Sequence, residues 1–469
     1  MIDTQALAEI VGPAFVLTGT DTEKWSSDWT NMYVATPLAV VRPADTQQVS
    51  AVMKWAHATG TAIVPVSGNT GLNGGASGED AVMLSLDRLN KIADIDVAGR
   101  TARVGAGVVL SSLHDAADAH DLIFPLTFGA RGTAMIGGAL STNAGGSNVV
   151  RYGNTRDLVM GIEVVMADGQ IMDLMGALHK DNSGLNLKHL MIGAEGALGI
   201  ITAAVVKLFA KPRAYATAMV AVPHLDAALT LLHSMQDATG GGVEAFEYMP
   251  RNYIDTHLAV IDGAKPPFDD SYDVNIMIEV AATAQRDATP ADDGSVPIVS
   301  LLEQTLGDML EDGRVLDAVV AQNEAQRREM WARREAAGEV VFFKKPFVDT
   351  DVAVPVTKVA TFLTEATARL AKLDAGAKEL IVAHLGDGNI HYLVNPTSDD
   401  PVLKNAIKEM VEDIVQELQG SFSAEHGVGI SKLATMTRRK DPVALQTMRA
   451  IKAALDPKGI LNPGKTIPN

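Results

Sequence analysis

The chain contains no cysteine, which excludes disulfide bonds, zinc–thiolate sites, iron–sulfur clusters and any cofactor linked through a cysteine sulfur. It also lacks an apolar run fit to span a bilayer, because its most apolar long stretch, residues 190–210, contains Glu195 and three glycines. The start has neither the basic residues nor the apolar core of a signal peptide. We therefore expect a cytoplasmic protein that does not span the membrane, and any redox chemistry would have to come from a bound cofactor.

Positive charge is scarce, since 39 basic residues stand against 57 acidic ones and the formal net charge is −18. Such a surface repels nucleic-acid phosphates and anionic lipid, so we expect no nucleic acid as a partner. An anionic substrate would need a local cluster of basic side chains. The length of 469 residues, with 47% apolar residues, predicts a globular protein of more than one domain.

The sequence pattern of the chain changes near residue 213. Short apolar strands alternate with helices and glycine-rich connections over residues 45–210, whereas strand–helix pairs with few glycines recur beyond Pro212. The second region predicts an antiparallel sheet with helices on one face. We therefore predict an α+β protein with a first domain over residues 1–213 (core about 36–213), a second over 214–420 and a C-terminal segment over 421–469.

Glycine-rich stretches dominate the first region. The loop "PVSGNTGLNGG" (65–75) follows a strand, and successive main-chain N–H groups in such a loop can cradle a diphosphate. A cluster of surface turns is the alternative, because glycine-rich matches are common. Residues 129–153 and "GAEGALGII" (193–201) are also poor in large side chains and could line a large flat ligand. The dinucleotide and P-loop patterns do not fit, which disfavours nicotinamide enzymes and P-loop nucleotidases.

Two histidines flank a tight turn in "HLGDGNIH" (384–391). A hairpin turned at residues 386–389 could aim both imidazoles at one point. A carboxylate is the most suitable third ligand, and such an N/N/O set suits zinc, manganese or iron(II). Two histidines that merely decorate a hairpin are the alternative. "SAEHGVG" (423–429) adds Glu425 beside His426, and its glycines permit the bend that one shared site would require.

The glycine-rich stretches, with "RYGNTRD" (151–157), resemble the FAD-binding domain of the vanillyl-alcohol oxidase/p-cresol methylhydroxylase family. "HLGDGNIH", "SAEHGVG" and "LDPKGILNPGK" (455–465) are similar to its D-2-hydroxyacid dehydrogenase branch, which includes D-lactate, glycolate and D-2-hydroxyglutarate dehydrogenases. The resemblance runs from about Thr36 to Pro468. It implies a two-subdomain FAD-binding domain, an α+β cap domain and a C-terminal segment that returns to the flavin domain.

The resemblance also assigns site residues. His384, His391 and Glu425 would bind a divalent metal, zinc in first place, and His426 would be the catalytic base and contact the substrate. Arg334, three residues after Trp331, would bind the substrate carboxylate, whereas Arg333 is expected to be exposed. Non-covalent FAD would lie against Pro65, Ser67, Gly68, Asn69, Thr70, Gly71, Leu72, Gly137, Gly138, Ser141, Thr142, Asn143, Gly145, Gly146, Glu195, Gly196, Gly199, Ile201 and Asn462.

Two positions depart from the hydroxyglutarate members of the branch. Those enzymes usually have an asparagine two residues after the second histidine, where this chain has Leu393, and a lysine where it has Asp349. Lys344 or Lys345 is an alternative source of that positive charge, and the motifs over residues 423–465 look more like the hydroxyglutarate members. The expected function is oxidation of a D-2-hydroxy acid (the D-2-hydroxyglutarate, D-lactate or D-malate class) to the 2-oxo acid, with the side-chain preference open. The expected electron acceptor is an electron-transfer flavoprotein, a cytochrome or a quinone, and a homodimer is the base-rate expectation.

Three alternatives stay open at this stage. A non-redox flavin-dependent synthase shares the flavin domain, but it lacks the two-histidine motif. An aryl-alcohol oxidase of the same family uses a tyrosine-rich site, whereas this chain has seven tyrosines without an evident cluster. A non-enzymatic flavoprotein would have no use for the histidines and Glu425.

Overall fold

The computed structural model describes residues 2–468, which divide into two compact units. Of the described residues, the first unit comprises 2–145, 153–210 and 425–468, and the second comprises 146–152 and 211–424. In the described residues, no helix combines the length and the apolarity needed to cross a membrane. Strands and helices are numbered along the chain.

The first unit contains two larger sheets. One has the order β1-β2-β4-β3, with β2, β3 and β4 parallel, and the other is antiparallel with the order β5-β6-β10-β8-β9. Their strands are β1 (Val16–Leu17), β2 (Ala39–Val41), β3 (Ile63–Val66), β4 (Val82–Ser85), β5 (Ile92–Asp96), β6 (Thr101–Gly105), β8 (Val159–Val165), β9 (Ile171–Leu174) and β10 (Ile200–Lys207), while β7 (Leu122–Ile123) pairs with β11 (Phe209–Ala210).

The helices of this unit begin and end where the local sequence directs. Asp45 caps α2 by accepting a hydrogen bond from the N–H of Gln48, and Gly60 ends that helix in the left-handed conformation. A hairpin turns at Asp168-Gly169, a typical turn pair, and β8 and β9 pair across it. The helices are α1 (Thr4–Val11), α2 (Thr46–Thr59), α3 (Leu110–Asp118), α4 (Ile136–Thr142), α6 (Leu187–Met191), α15 (Leu433–Arg439) and α16 (Pro442–Leu455).

The C-terminal segment joins the first sheet of this unit. The N–H of Ile63 donates to Ile460, and the N–H of Asn462 donates to Ile63, so Leu461 lies beside β3 as a parallel bridge. Ile460 and Leu461 are buried in the same apolar cluster as Ile63. The predicted return of this segment to the flavin domain is therefore confirmed.

The second unit is built on a seven-stranded antiparallel sheet with the order β15-β12-β14-β13-β17-β18-β16. Its strands are β12 (Ala214–Val222), β13 (Val243–Pro250), β14 (Val274–Ala282), β15 (Asp317–Val320), β16 (Val348–Ala353), β17 (Lys378–His384) and β18 (Asn389–Asn395). The helices are α5 (Val149–Tyr152), α7 (Leu225–Thr239), α8 (Arg251–Val260), α9 (Gln285–Ala288), α10 (Pro297–Glu311), α11 (Glu324–Glu335), α12 (Ala337–Val341), α13 (Val359–Leu373) and α14 (Pro401–Glu417).

The two faces of this sheet differ in chemistry. Side chains alternate along each strand, so Ile276, Ile278 and Val280 of β14 pack with α7, α10, α13 and α14 on an apolar face. Met277 and Glu279 point the other way, towards α8, α11 and α12. Helices cover both faces, so the prediction of helices on one face was wrong. Buried polar groups of α11 hold that helix on the face that Met277 and Glu279 point to. We call this face the polar face.

Candidate active site

One buried carboxylate organises the polar face. Glu247 of β13 is fully buried, and its Oε2 accepts a hydrogen bond from Arg334 Nε at 2.6 Å. Its Oε1 lies 2.8 Å from His384 Nδ1. A carboxylate only accepts and a guanidinium only donates, so His384 carries its proton on Nδ1 and accepts from Arg334 Nη2 through Nε2, at 3.2 Å.

Charge explains why this carboxylate is ionised. Burial alone opposes ionisation of Glu247, but the Arg334 guanidinium and His384 outweigh it and hold the pKa of the carboxyl at about 2. Glu247 therefore remains negative across the physiological range. A buried charge with partners on both oxygens meets the condition under which ion pairs persist in protein interiors.

The predicted hairpin of the two histidines is confirmed. β17 ends at His384 and β18 begins at Asn389, so His384 pairs with Asn389, and His391 pairs with Val382 on the same face. The two imidazole centroids lie 5.5 Å apart with an interplanar angle of 76°. The neighbouring strand β16 places Asp351 opposite His391, with Oδ1 3.9 Å from Nδ1. The donor types present thus fit a divalent metal, and Glu247 beside His384 Nδ1 would orient that ring, as carboxylates commonly do for ligand histidines.

A second buried carboxylate holds α11. Glu279 of β14 accepts from Arg327 at both oxygens, each at 2.7 Å, and from Trp331 Nε1 at 2.8 Å. Arg334 follows one turn later on the same helix. Arg328 is exposed, whereas Arg333, which we expected to be exposed, is only 4% exposed. An arginine-rich pattern is typical of a solvated helix face, and such a pattern does not reveal the strands and α8 that pack beneath this helix.

In the first unit, the main-chain N–H groups of residues 68–76 donate no hydrogen bond to any described residue. The loop packs closely on the second glycine-rich block, because a Cβ on Gly68 would lie 2.3 Å from the carbonyl oxygen of Thr133 and one on Gly137 would lie 3.1 Å from Ser67 Oγ. A Cβ on Gly71 would meet nothing within 4 Å. Free N–H groups and the open space at Gly71 fit a bound diphosphate.

The end of this loop is joined to the segment around His426. Asn73 Nδ2 donates to the carbonyl oxygens of His426 and Gly427, at 2.9 and 2.8 Å. The Glu195 carboxylate accepts from the N–H groups of Val428 and Gly429. Burial raises the pKa of Glu195, while these N–H groups oppose that rise. Glu425 lies against Gly145, where an added Cβ would be 2.6 Å from Oε1.

The other predicted cofactor residues lie as follows. Asn462 Nδ2 donates to the carbonyl oxygens of Gly75 and Glu195, and its Oδ1 is buried with no partner among the described residues. Ile201 is buried in β10 opposite Val164. Pro65 lies in β3, Ser67, Gly68, Asn69, Thr70, Gly71 and Leu72 in the following loop, Gly137, Gly138, Ser141 and Thr142 in α4, Asn143 at its end, and Gly196 and Gly199 before β10. Gly146 falls in the second unit. Contact of these residues with FAD stays a prediction.

Sequence reasoning missed Glu247, Glu279 and Asn73. The signal for the two glutamates was present, since "VEAFEYMP" and "VNIMIEVAA" each place an acidic residue in a strand that is otherwise mostly apolar. An acidic residue at a buried strand position predicts a specific partner. Asn73 offered no comparable signal, because asparagine is common in glycine-rich loops.

The chain matches two family models, "FAD linked oxidases, C-terminal domain" over residues 211–466 and "FAD binding domain" over residues 37–175. It is 36% identical over 455 residues to a protein of Xanthomonas citri pv. viticola named D-2-hydroxyglutarate dehydrogenase, covering 95% of this chain and 92% of the relative. The mitochondrial protein of that name from Arabidopsis thaliana is 33% identical, covering 100% of this chain and 82% of the relative.

A structure of p-cresol methylhydroxylase with substrate bound has a TM-score of 0.75 at 15% identity, covering 99% of this chain and 96% of that one. This likeness concerns the fold alone. Together with the matches over both parts of the sequence, it confirms the resemblance on which the sequence analysis relied. The chain belongs to the FAD-linked oxidases and is an FAD-linked D-2-hydroxyacid dehydrogenase with the fold of the vanillyl-alcohol oxidase/p-cresol methylhydroxylase family.

Proposed function

We propose that the protein oxidises the C2 hydroxyl of a D-2-hydroxy acid with non-covalent FAD and a divalent metal. The observation that carries this proposal is that Glu247 accepts hydrogen bonds from both Arg334 and His384. The Glu247 carboxylate thus holds the Arg334 guanidinium beside the His384 imidazole. The guanidinium is suited to bind the C1 carboxylate of the substrate, and the imidazole is suited to bind a metal. A guanidinium recognises a carboxylate through two parallel hydrogen bonds.

His384, His391 and Glu425 are the metal ligands that we propose, with zinc as the first choice. The ring geometry of the two histidines supports their part. The N–H of Ala424, the residue before Glu425, donates to the carbonyl oxygen of Asp351, which pairs with His391, so Ala424 lies beside β16 at that position. Arg334 Nη2 donates to the Nε2 lone pair of His384, so that contact must open when a metal binds there. A bound divalent cation supplies positive charge that favours loss of the C2 hydroxyl proton.

The loop over residues 67–72, together with Gly137, Gly138, Ser141, Asn143, Gly145 and Gly146, would hold FAD. The free N–H groups of the loop support this role for the diphosphate. FAD, when bound, supplies a two-electron acceptor for the hydride that leaves C2. Arg334 binds the C1 carboxylate and so orients C2, which sets the preference for the D enantiomer. His426 accepts the hydroxyl proton, and the product is the 2-oxo acid.

The names of the relatives make D-2-hydroxyglutarate one candidate substrate. A monocarboxylic D-2-hydroxy acid is the second candidate, and we favour it. Leu393 lies on the polar face two residues after His391 and belongs to a buried apolar cluster with Met330 and Val340. Asp349 is its partner in β16, so a negative side chain stands where the hydroxyglutarate members of the branch have a lysine.

An anaerobic visible spectrum of the holoprotein tests the reaction and the substrate together. We expect D-lactate and longer D-2-hydroxy monocarboxylates to bleach the oxidised-flavin band, and the L enantiomers to leave it unchanged. Faster bleaching by D-2-hydroxyglutarate than by any monocarboxylate would reject our preferred substrate class. Bleaching by none of these acids in a flavin-loaded protein would reject the proposed reaction.

Metal analysis tests the ligand assignment separately. We expect His384→Ala to lose zinc and retain FAD, because the loop of the first unit is unchanged. His257→Ala removes another buried histidine on the same face and is the matched control, which we expect to retain zinc. Zinc content in the His384 variant equal to wild type would end the assignment.

The compartment, the acceptor and the assembly are also proposals. We propose a cytoplasmic protein that passes electrons to an electron-transfer flavoprotein, a cytochrome or a quinone, and that forms a homodimer. The absence of a membrane-spanning helix among the described residues is compatible with such acceptors. Cell fractionation, reoxidation assays with each acceptor class and light scattering test these three statements.

A further inference from the structure

Arg333 is a buried cation without a carboxylate partner among residues 2–468. It is 4% exposed, and its Nη2 donates to the carbonyl oxygen of Lys265 at 3.0 Å. Its Nε is buried and has no hydrogen-bond partner. Glu329, one turn earlier on α11, is exposed, and its negative charge opposes without cancelling the effect of burial, which lowers the pKa of Arg333. Burial of a guanidinium without a bound anion is strongly unfavourable.

A second buried donor lies on the adjacent helix. His257 of α8 is 5% exposed, and its Nδ1 is also buried without a partner. Tyr253, one turn earlier on α8, stacks on the His257 ring with 6.4 Å between the ring centroids and donates its hydroxyl to the Arg333 carbonyl oxygen at 2.7 Å. The positive charge of Arg333 is near enough to help lower the pKa of His257, after burial itself.

We propose that Arg333 and His257 form a buried binding site for a small monovalent anion of the halide type. The two unpartnered nitrogen atoms can each donate a hydrogen bond to one ion, and the ion would neutralise the guanidinium. A small and weakly hydrated anion suits the site because α8 and α11 also contribute to a buried apolar cluster on this face of the sheet, which includes Ile254 and Phe268. This site is distinct from the carboxylate-binding role proposed for Arg334, which points to Glu247 instead.

The site has a structural consequence for α11. Arg333 and Arg334 occupy the last turn of this helix, so an ion held by Arg333 would fix the turn that presents Arg334. Binding to the folded state alone raises its stability as the ion concentration rises. The effect is therefore measurable without any assay of catalysis, and its outcome does not depend on the proposed reaction.

Thermal unfolding of the holoprotein tests the site. Sodium methanesulfonate would be replaced stepwise by chloride, bromide or nitrate at about 200 mM total salt, which keeps screening constant. We expect a saturable rise in Tm of about 2–4 °C for the wild type. Arg333→Met is expected to abolish the rise, whereas Arg328→Met, which removes an exposed arginine from the same helix, is expected to preserve it.

Anomalous diffraction from wild-type crystals soaked in bromide tests the site without any variant. An anomalous peak within hydrogen-bond distance of Arg333 Nε and His257 Nδ1 is expected. No peak there at a bromide concentration that saturates the Tm effect would overturn the proposal. An equal rise in Tm for wild type and Arg333→Met, or no rise in either, would also overturn it.

Discussion

At the scale of single residues, Glu247 has a role that an amide cannot fill. Its two oxygens accept from His384 Nδ1 and Arg334 Nε, and both partners are donors. A glutamine would accept from one of them and turn its own N–H groups towards the other. We expect Glu247→Gln to lower zinc affinity by about tenfold to a hundredfold and to raise KM for the hydroxy acid. Zinc retention against a competing chelator and steady-state kinetics measure both effects.

Glu279→Gln is the matched control for that substitution. It removes a buried carboxylate from the same face of the same sheet, but its partners are Arg327 and Trp331 rather than a histidine. We expect it to lower Tm without loss of zinc. Equal zinc loss in both variants would mean that Glu247 acts only through general stability.

The sequence could indicate these residues only in part. An acidic residue within a buried strand was visible in "VEAFEYMP", but its partners lie 87 and 137 residues further along the chain. A local sequence pattern does not show which side chains from distant parts of the chain contact each other. The reverse error occurred at Arg333, where a charged helix pattern predicted exposure and tertiary packing buried the side chain.

At the scale of elements, the histidine hairpin depends on Gly388. This residue has a φ of +83°, and a Cβ there would lie 2.2 Å from the carbonyl oxygen of Val354. We expect Gly388→Ala to destabilise the protein by about 2–4 kcal/mol and to disturb the spacing of the two imidazoles. Denaturant unfolding and zinc content measure the two effects.

Gly313→Ala provides the comparison, since Gly313 has a φ of +76° and open space around its Cβ position. Only the backbone strain of about 1 kcal/mol applies there, and zinc content is expected to stay unchanged. Similar costs for the two substitutions would show that the close approach to Val354 is unimportant.

The hairpin itself was predictable because its turn is local, whereas the cover of helices over both faces of the sheet was not.

At the scale of the whole molecule, the contacts of residues 146–152 illustrate what sequence cannot show. We placed this stretch in the first domain by its position in the chain. In the structure it groups with the second unit, where Asn148, Arg151 and Tyr152 bind the buried Glu244 carboxylate, 92–96 residues further along the chain. Long-range contacts of this kind determine which residues belong to one unit, and a local sequence pattern does not reveal them. The predicted domain boundaries therefore stay predictions.

The net charge of −18 leads to a prediction for the whole molecule. A hydroxy acid is an anion at neutral pH, so the overall field opposes its approach even though Arg334 attracts it at close range. Added salt screens the long-range repulsion more than the buried contact. We expect kcat/KM to rise about twofold to threefold between about 10 and 150 mM sodium methanesulfonate. An uncharged acceptor at saturating concentration restricts the salt effect to the acid. A fall in kcat/KM over the same range would mean that positive charge near the substrate entrance, rather than the net charge, governs association.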